Sequence, residues 1–225
     1  MSYQIVDLSC VLNSSVSHFP ADPLFRKKWH RHFHKEGLYI SKIELGAHTG
    51  THVDAPMHFL GNKIGVSEIP LIDYCGEAIA IDAPKQEGEN ITPSDVLEAD
   101  IRKDDIVLFH TGWEKKSGTA DFFKGQWPGF SPELIDFLVE KEVKAIGGDI
   151  ASADSPSGLL LGAPAHKKAA RAGLPIFEAL VNLKKIAGQR FLFIGFPLKI
   201  EDCEASPVRA VAVLHSCFKN YRNGT

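Results

Sequence analysis

The stretch GAHTGTHVDAPMHF, residues 46–59, crowds His48, His52, Asp54 and His58 into one short span of a chain with only 10 histidines in 225 residues. Imidazole and carboxylate groups bind divalent cations, and imidazole also carries protons near neutral pH. His48 and His52 are four apart, as in an HExxH zinc helix. The helical reading fails, however: Thr49 stands where that motif has glutamate, and Gly46, Gly50, Thr51, Val53 and Pro56 all weaken a helix. In an extended chain the even-numbered His48, His52, Asp54 and His58 point to one face. On a straight strand His48 and His52 would lie roughly 13 Å apart, and ligand bonds of about 2 Å cannot span that. A bend is therefore predicted at Thr49-Gly50-Thr51, where glycine can take dihedrals closed to other residues. Asp54 then offers an oxygen beside His52. Pro56 turns the chain again, placing His58 next to the ion without requiring it to bind. Two imidazoles, one carboxylate and an open position make a catalytic rather than a closed structural set. A solvent-exposed loop merely rich in histidine would need neither that parity nor those breakers.

The elements that must position these groups are mostly strands. QIVDLS, LYISKIELG, GEAIAIDA, DIVLFHTG, VKAIGGD, RFLFIGFPLKI and VRAVAVL are rich in β-branched and aromatic residues or alternate apolar with polar ones. SPELIDFLVEKE carries a helix start, with Ser131 as N-cap and Pro132 at the first helical position. Its Leu134, Ile135 and Leu138 fall on one face. PAHKKAARAG predicts a short helix from Pro164 to near Gly173. Strands outnumber helices, and several connections are too brief for parallel crossovers. The expected architecture is one α/β domain over residues 1–225, a mixed, barrel-like sheet with flanking helices.

Composition excludes several classes. Hydrophobic residues make up 44% and charged residues 24%, and the net charge of −3 gives no general attraction to nucleic acid or anionic lipid. No apolar run reaches the ~18 residues of a membrane span. MSYQIVDLSC lacks the features of a signal peptide. Cys10, Cys75, Cys203 and Cys217 form no CxxC pair and read as reduced thiols of a cytoplasmic protein. GxSxG, Walker A and Rossmann glycine patterns are absent. Other polar candidates have bland explanations. His30, His32 and His34 in WHRHFHKE read as a solvated edge strand or loop, and His110 and His215 as structural or surface residues. Asp149 ends a strand, where turn chemistry accounts for it.

At residues 48–58 the chain resembles the cyclase family of metal-dependent hydrolases, which includes bacterial kynurenine formamidases and isatin hydrolases. The family's HxGxHxDxPxH is matched by His48, Gly50, His52, Asp54, Pro56 and His58. Phe19-Pro20-Ala21-Asp22-Pro23 resembles its aromatic-Pro-Gly-Asp-Pro stretch, with alanine for glycine. APAHKKAARAGLPIFEALVNL is similar to the segment carrying a histidine and, twelve residues on, a glutamate, here His166 and Glu178; FPLKIEDCEASPVRAVAVL is similar to the closing strands. The resemblance implies that His48, His52 and Asp54 bind a first divalent ion. It implies that Asp54 bridges to a second ion held by His166 and Glu178, that His58 is the acid/base, and that Phe19 helps enclose substrate. It further implies a homodimer or higher oligomer hydrolysing a small-molecule amide, foremost N-formylkynurenine in tryptophan catabolism, to kynurenine and formate. Within the enzyme class the rival is a cyclic amide or lactone; outside it, a silent metal-binding protein. The retained non-ligand His58 argues against silence. His and carboxylate ligands suit zinc, the first choice, and manganese. Residues 147–156 and 201–206 depart from the family's pattern and bear on substrate identity rather than chemistry.

Overall fold

A computed structural model describes residues 3–61 and 64–215; Cys217 lies outside the described residues. In chain order the elements are β1 (Tyr3–Asp7), β2 (Arg26–Arg31), α1 (Phe33–Glu36), β3 (Ile40–Glu44), β4 (His52–Asp54) and α2 (Met57–Leu60). Next come β5 (Cys75–Asp82), β6 (Ile106–His110), α3 (Pro132–Glu140), β7 (Ala145–Gly148), α4 (Pro156–Leu160) and α5 (Pro164–Arg171). The chain closes with β8 (Ile176–Glu178), β9 (Arg190–Ile194), β10 (Ala205–Pro207) and β11 (Val211–His215).

Nine of these strands form one mixed sheet curled into a half-barrel, in the order β1-β11-β9-β5-β6-β7-β8-β4-β10. The α/β, barrel-like expectation therefore holds. β5 through β8 run parallel, the last two crossovers carrying helices, while the remaining pairs are antiparallel. Strand alternation makes two cores. Ala78, Ala80, Ile106 and Leu108 face one with Phe177, Phe191 and Phe193. Ile79, Ile81, Val107 and Phe109 face the other, beneath Leu134, Ile135 and Leu138 of α3 and Ala165 and Ala169 of α5.

Local signals account for most boundaries. The Ser131 hydroxyl accepts the Leu134 amide at 3.2 Å, so α3 starts where its cap and Pro132 predict. RFLFIGFPLKI was expected extended throughout, yet β9 stops at Ile194. Gly195 packs so closely on the Phe177 and Phe193 rings that no side chain fits, and Pro197 cannot donate to a ladder. Glu178 ends strand β8. β2 and β3 stand apart as a hairpin with every residue exposed, carrying His30; His32 and His34 stack at its tip.

Candidate metal centre

β4 is the spine of the site. Its His52 and Asp54 share one face, and the antiparallel register sets Glu178 of β8 directly across from His52. Before β4 the chain bends at Gly50, whose φ is +66°; a side chain there would strike Leu12 and Cys10. This bend folds His48 back, bringing its Nδ1 to 2.9 Å from Asp54 Oδ1. After β4, Pro56 leads into α2, and His58 reaches back with Nε2 4.0 Å from Asp54 Oδ2. His166, on the first turn of α5, comes from the opposite wall: its Nε2 is 3.3 Å from Glu178 Oε1 and 3.7 Å from Asp54 Oδ2. All six expected polar residues therefore meet around Asp54. The tightest groupings are His48–Asp54–His58 and His52–Asp54–Glu178, ligand atoms in each lying within 4.8 Å of one another. The sequence expectation paired His48 with His52 instead; Asp54 is common to both arrangements.

The histidines are held ready to bind. His52 Nδ1 donates to the Gly50 carbonyl at 2.8 Å, leaving Nε2 to face the carboxylates. Asp154 does the same for His166, accepting from its Nδ1 at 2.6 Å. Such outer partners fix which ring nitrogen is bare. His48 Nε2, His52 Nε2 and both Asp54 oxygens are buried without a hydrogen-bond partner among the described residues. Burying polar and charged atoms unpaired costs several kcal/mol. A divalent cation among them removes that cost, so the donor set fits one.

Without a cation, protons supply the positive charge. Burial opposes charge on His52, but the carboxylates of Asp54 and Glu178 outweigh it and hold its pKa well above the usual value. Burial likewise opposes charge on His166, yet Asp154 and Glu178 push it up to about 10. Against the same burial, His48 and His52 hold Asp54 well below the carboxylate range. His58 goes the other way. Burial lowers it, with His48 and His166 assisting against Asp54.

Sequence reasoning missed Asp154. Both of its oxygens also accept amides of α5, Ala165 and His166, at 3.0 Å each, while Ala153 N–H donates to Glu178 Oε1 at 2.6 Å. A cap ten residues upstream of the helix leaves no local signature. Glu204, preceding β10, was also missed; its Oε1 lies 3.5 Å from His48 Nε2. Asp149 is not among the residues lining the pocket and accepts the amides of Thr111, Gly112 and Glu114.

Above the polar floor lies a cavity of about 280 Å³. Phe19, Phe59, Phe123 and Leu159 wall it, with Asp22 and Ser152 between them. The Phe19 and Phe123 rings meet edge to face at 5.7 Å. Phe19 is thus part of the cavity wall.

The sequence model of a family described as "Putative cyclase" matches residues 6–155. A kynurenine formamidase from Bacillus thuringiensis subsp. konkukian is 29% identical over 208 residues, spanning 92% of this chain and 95% of that protein. Isatin hydrolase A from Labrenzia aggregata, solved with benzyl benzoate, superposes with a TM-score of 0.83 at 27% identity over 94% of each chain. Isatin hydrolase A from Ralstonia solanacearum superposes with a TM-score of 0.85 at 25% identity, covering 95% of this chain and 92% of that one.

Proposed function

The chain belongs to the cyclase family, and from that premise we propose that it hydrolyses an aryl formamide, with N-formyl-L-kynurenine the leading substrate. It is a metal-dependent hydrolase acting on amide C–N bonds. The observation carrying the reading is the set of orphaned donor atoms on His48, His52 and Asp54, buried at the floor of an aromatic-walled cavity. The likeness to a kynurenine formamidase over 92% of the chain supports the substrate class.

In this reading His48, His52 and Asp54, with His166 and Glu178, would hold two divalent ions, zinc by preference and manganese otherwise. Such ions supply Lewis acidity, polarising the amide carbonyl and making water more acidic. The chain's own residues do the rest. Phe19, Phe59 and Phe123 grip the aryl ring and exclude bulk water. His58, kept neutral by its lowered pKa, has a free nitrogen at neutral pH. It takes a proton from the attacking water and returns it to the departing aniline nitrogen. Formate and the free arylamine leave. Turnover of N-formylkynurenine by metal-quantified protein tests the proposal; no hydrolysis of any aryl formamide by fully loaded protein would refute it.

The isatin hydrolase likeness favours a second reading, opening of a cyclic amide, because the 280 Å³ cavity is compact enough for a bicyclic ring. Isatin and simple lactones belong in the same assay.

Assembly as a homodimer or higher oligomer is part of the proposal. A two-stranded hairpin alone is marginal in water, and β2–β3 exposes Trp29, Tyr39 and Ile43. Light scattering should return at least twice the chain mass of 24.7 kDa. No helix among the described residues is long and apolar enough to cross a membrane.

A further inference from the structure

The cavity has two chemically different ends. Its floor is the buried cluster of histidines and carboxylates around Asp54. Its mouth is formed by the segment before β2, where Phe19 is 36% exposed and Asp22 is part-buried. No lysine or arginine among the described residues lines the cavity. Among the described residues the Asp22 carboxylate forms no hydrogen bond or ion pair, whereas the exposed Asp121 pairs with Lys124 and Glu87 with Lys116. A free carboxylate lining the same cavity as Phe19 and Phe123 is a receptor for an ammonium group, since a carboxylate and the faces of aromatic rings both attract cations. The same mouth repels a carboxylate, which would find no lysine or arginine among the described lining residues.

We propose that Asp22 is the distal subsite of the cavity, binding the ammonium group of an aryl amide whose reactive end sits at the histidine floor. The enzyme therefore selects amides whose far end is cationic, accepts a zwitterion through its ammonium, and discriminates against an end that is only anionic. The inference rests on the hydrolase reading above and adds the charge preference. Asp22 touches substrate but takes no part in bond breaking, so its effect falls on KM rather than kcat.

The test uses metal-loaded protein and three ortho-acyl formanilides that differ only in the side-chain terminus: ammonium, amino acid zwitterion, or carboxylate. The expected order of kcat/KM is ammonium, zwitterion, carboxylate. The extremes should differ by about tenfold or more, equivalent to ~1.4 kcal/mol, with the difference carried by KM. Asp22→Asn should bring the extremes to near equality. Calorimetric titration of the three corresponding deformylated anilines should give the same order of affinity. Equal kcat/KM and equal affinity for the ammonium and carboxylate compounds would overturn the inference while leaving the hydrolase reading intact. An Asp22→Asn ratio identical to wild type would overturn it equally. If no formanilide is hydrolysed, the hydrolase reading fails, and the aniline titrations still decide whether Asp22 selects a cation.

Discussion

Replacing Asp154 by asparagine separates a helix cap from a ligand-orienting group. Asp154 receives three bonds: the Ala165 and His166 amides at 3.0 Å each and the His166 Nδ1–H at 2.6 Å. Asparagine caps helices as well as aspartate does, so its carbonyl can keep one of the two amide bonds, but its NH2 group cannot accept the other, at a stability cost of ~1–3 kcal/mol. What it cannot keep is the charge that fixes Nδ1–H and leaves His166 Nε2 bare towards Asp54 and Glu178. Outer-partner substitutions of this kind typically cost about 10–100-fold in metal affinity, which corresponds to ~1.4–2.7 kcal/mol. Zinc affinity measured against a competing chelator should fall in that range, and the melting temperature of the metal-free protein should fall as well near neutral pH, because Asp154 helps hold the His166 proton. Long-range proton–nitrogen spectra of the zinc-loaded wild type should show His166 protonated at Nδ1 and ligating through Nε2. Unchanged zinc affinity in the asparagine variant, with a lowered melting temperature alone, would refute the reasoning and reduce Asp154 to a cap.

Four further outcomes are expected. His58→Ala should retain its metal and lose about 10²–10⁴-fold in turnover, whereas His52→Ala should lose metal; loss of metal in both, seen by elemental analysis, would make His58 a ligand. Glu178→Gln should reduce occupancy from about two ions per chain to about one, and wild-type protein that never exceeds one ion would end the two-ion scheme. The raised pKa of His166 stabilises metal-free protein fully below about 6.5 and progressively less as pH rises towards about 10. Melting temperatures of metal-free protein should accordingly fall across that window, while zinc affinity rises as protons leave the imidazoles; a zinc affinity independent of pH there would contradict the assigned ligands. Gly129→Ala would drive a methyl into the Ser155 amide and the Asp154 backbone, displacing the segment that orients Glu178 and His166, and should lower both thermal stability and metal occupancy.

The sequence alone determined what is local. The parity of His48, His52, Asp54 and His58, the bend at Gly50, the cap at Ser131 and the start of α5 at Pro164 follow from backbone geometry within a few residues. Strand periodicity marked β1, β5, β6, β7, β9 and β11, and the parity of His52 and Asp54 marked β4, but the three-residue β8 and β10 carry no such signal. Periodicity could not supply the strand order, because pairing is set by the packing of two cores rather than by neighbours in the chain. Only the tertiary structure decided that β8 lies beside β4, with Glu178 opposite His52. The same packing put α5 over α2 so that His166 faces Asp54. For His166 and Glu178 the sequence offered only a family resemblance, since nothing in LPIFEALV marks a buried carboxylate. Asp154 was invisible for a sharper reason: it caps a helix that begins ten residues later, across the turn that α4 makes. Asp22 and Phe123 lie about a hundred residues apart and share a cavity wall because the segment before β2 packs on the loop after β6, where Ser17 bonds Gly118 and Thr119. Ligand types are written in short motifs, whereas the shape and charge of the space above them come from contacts between distant segments.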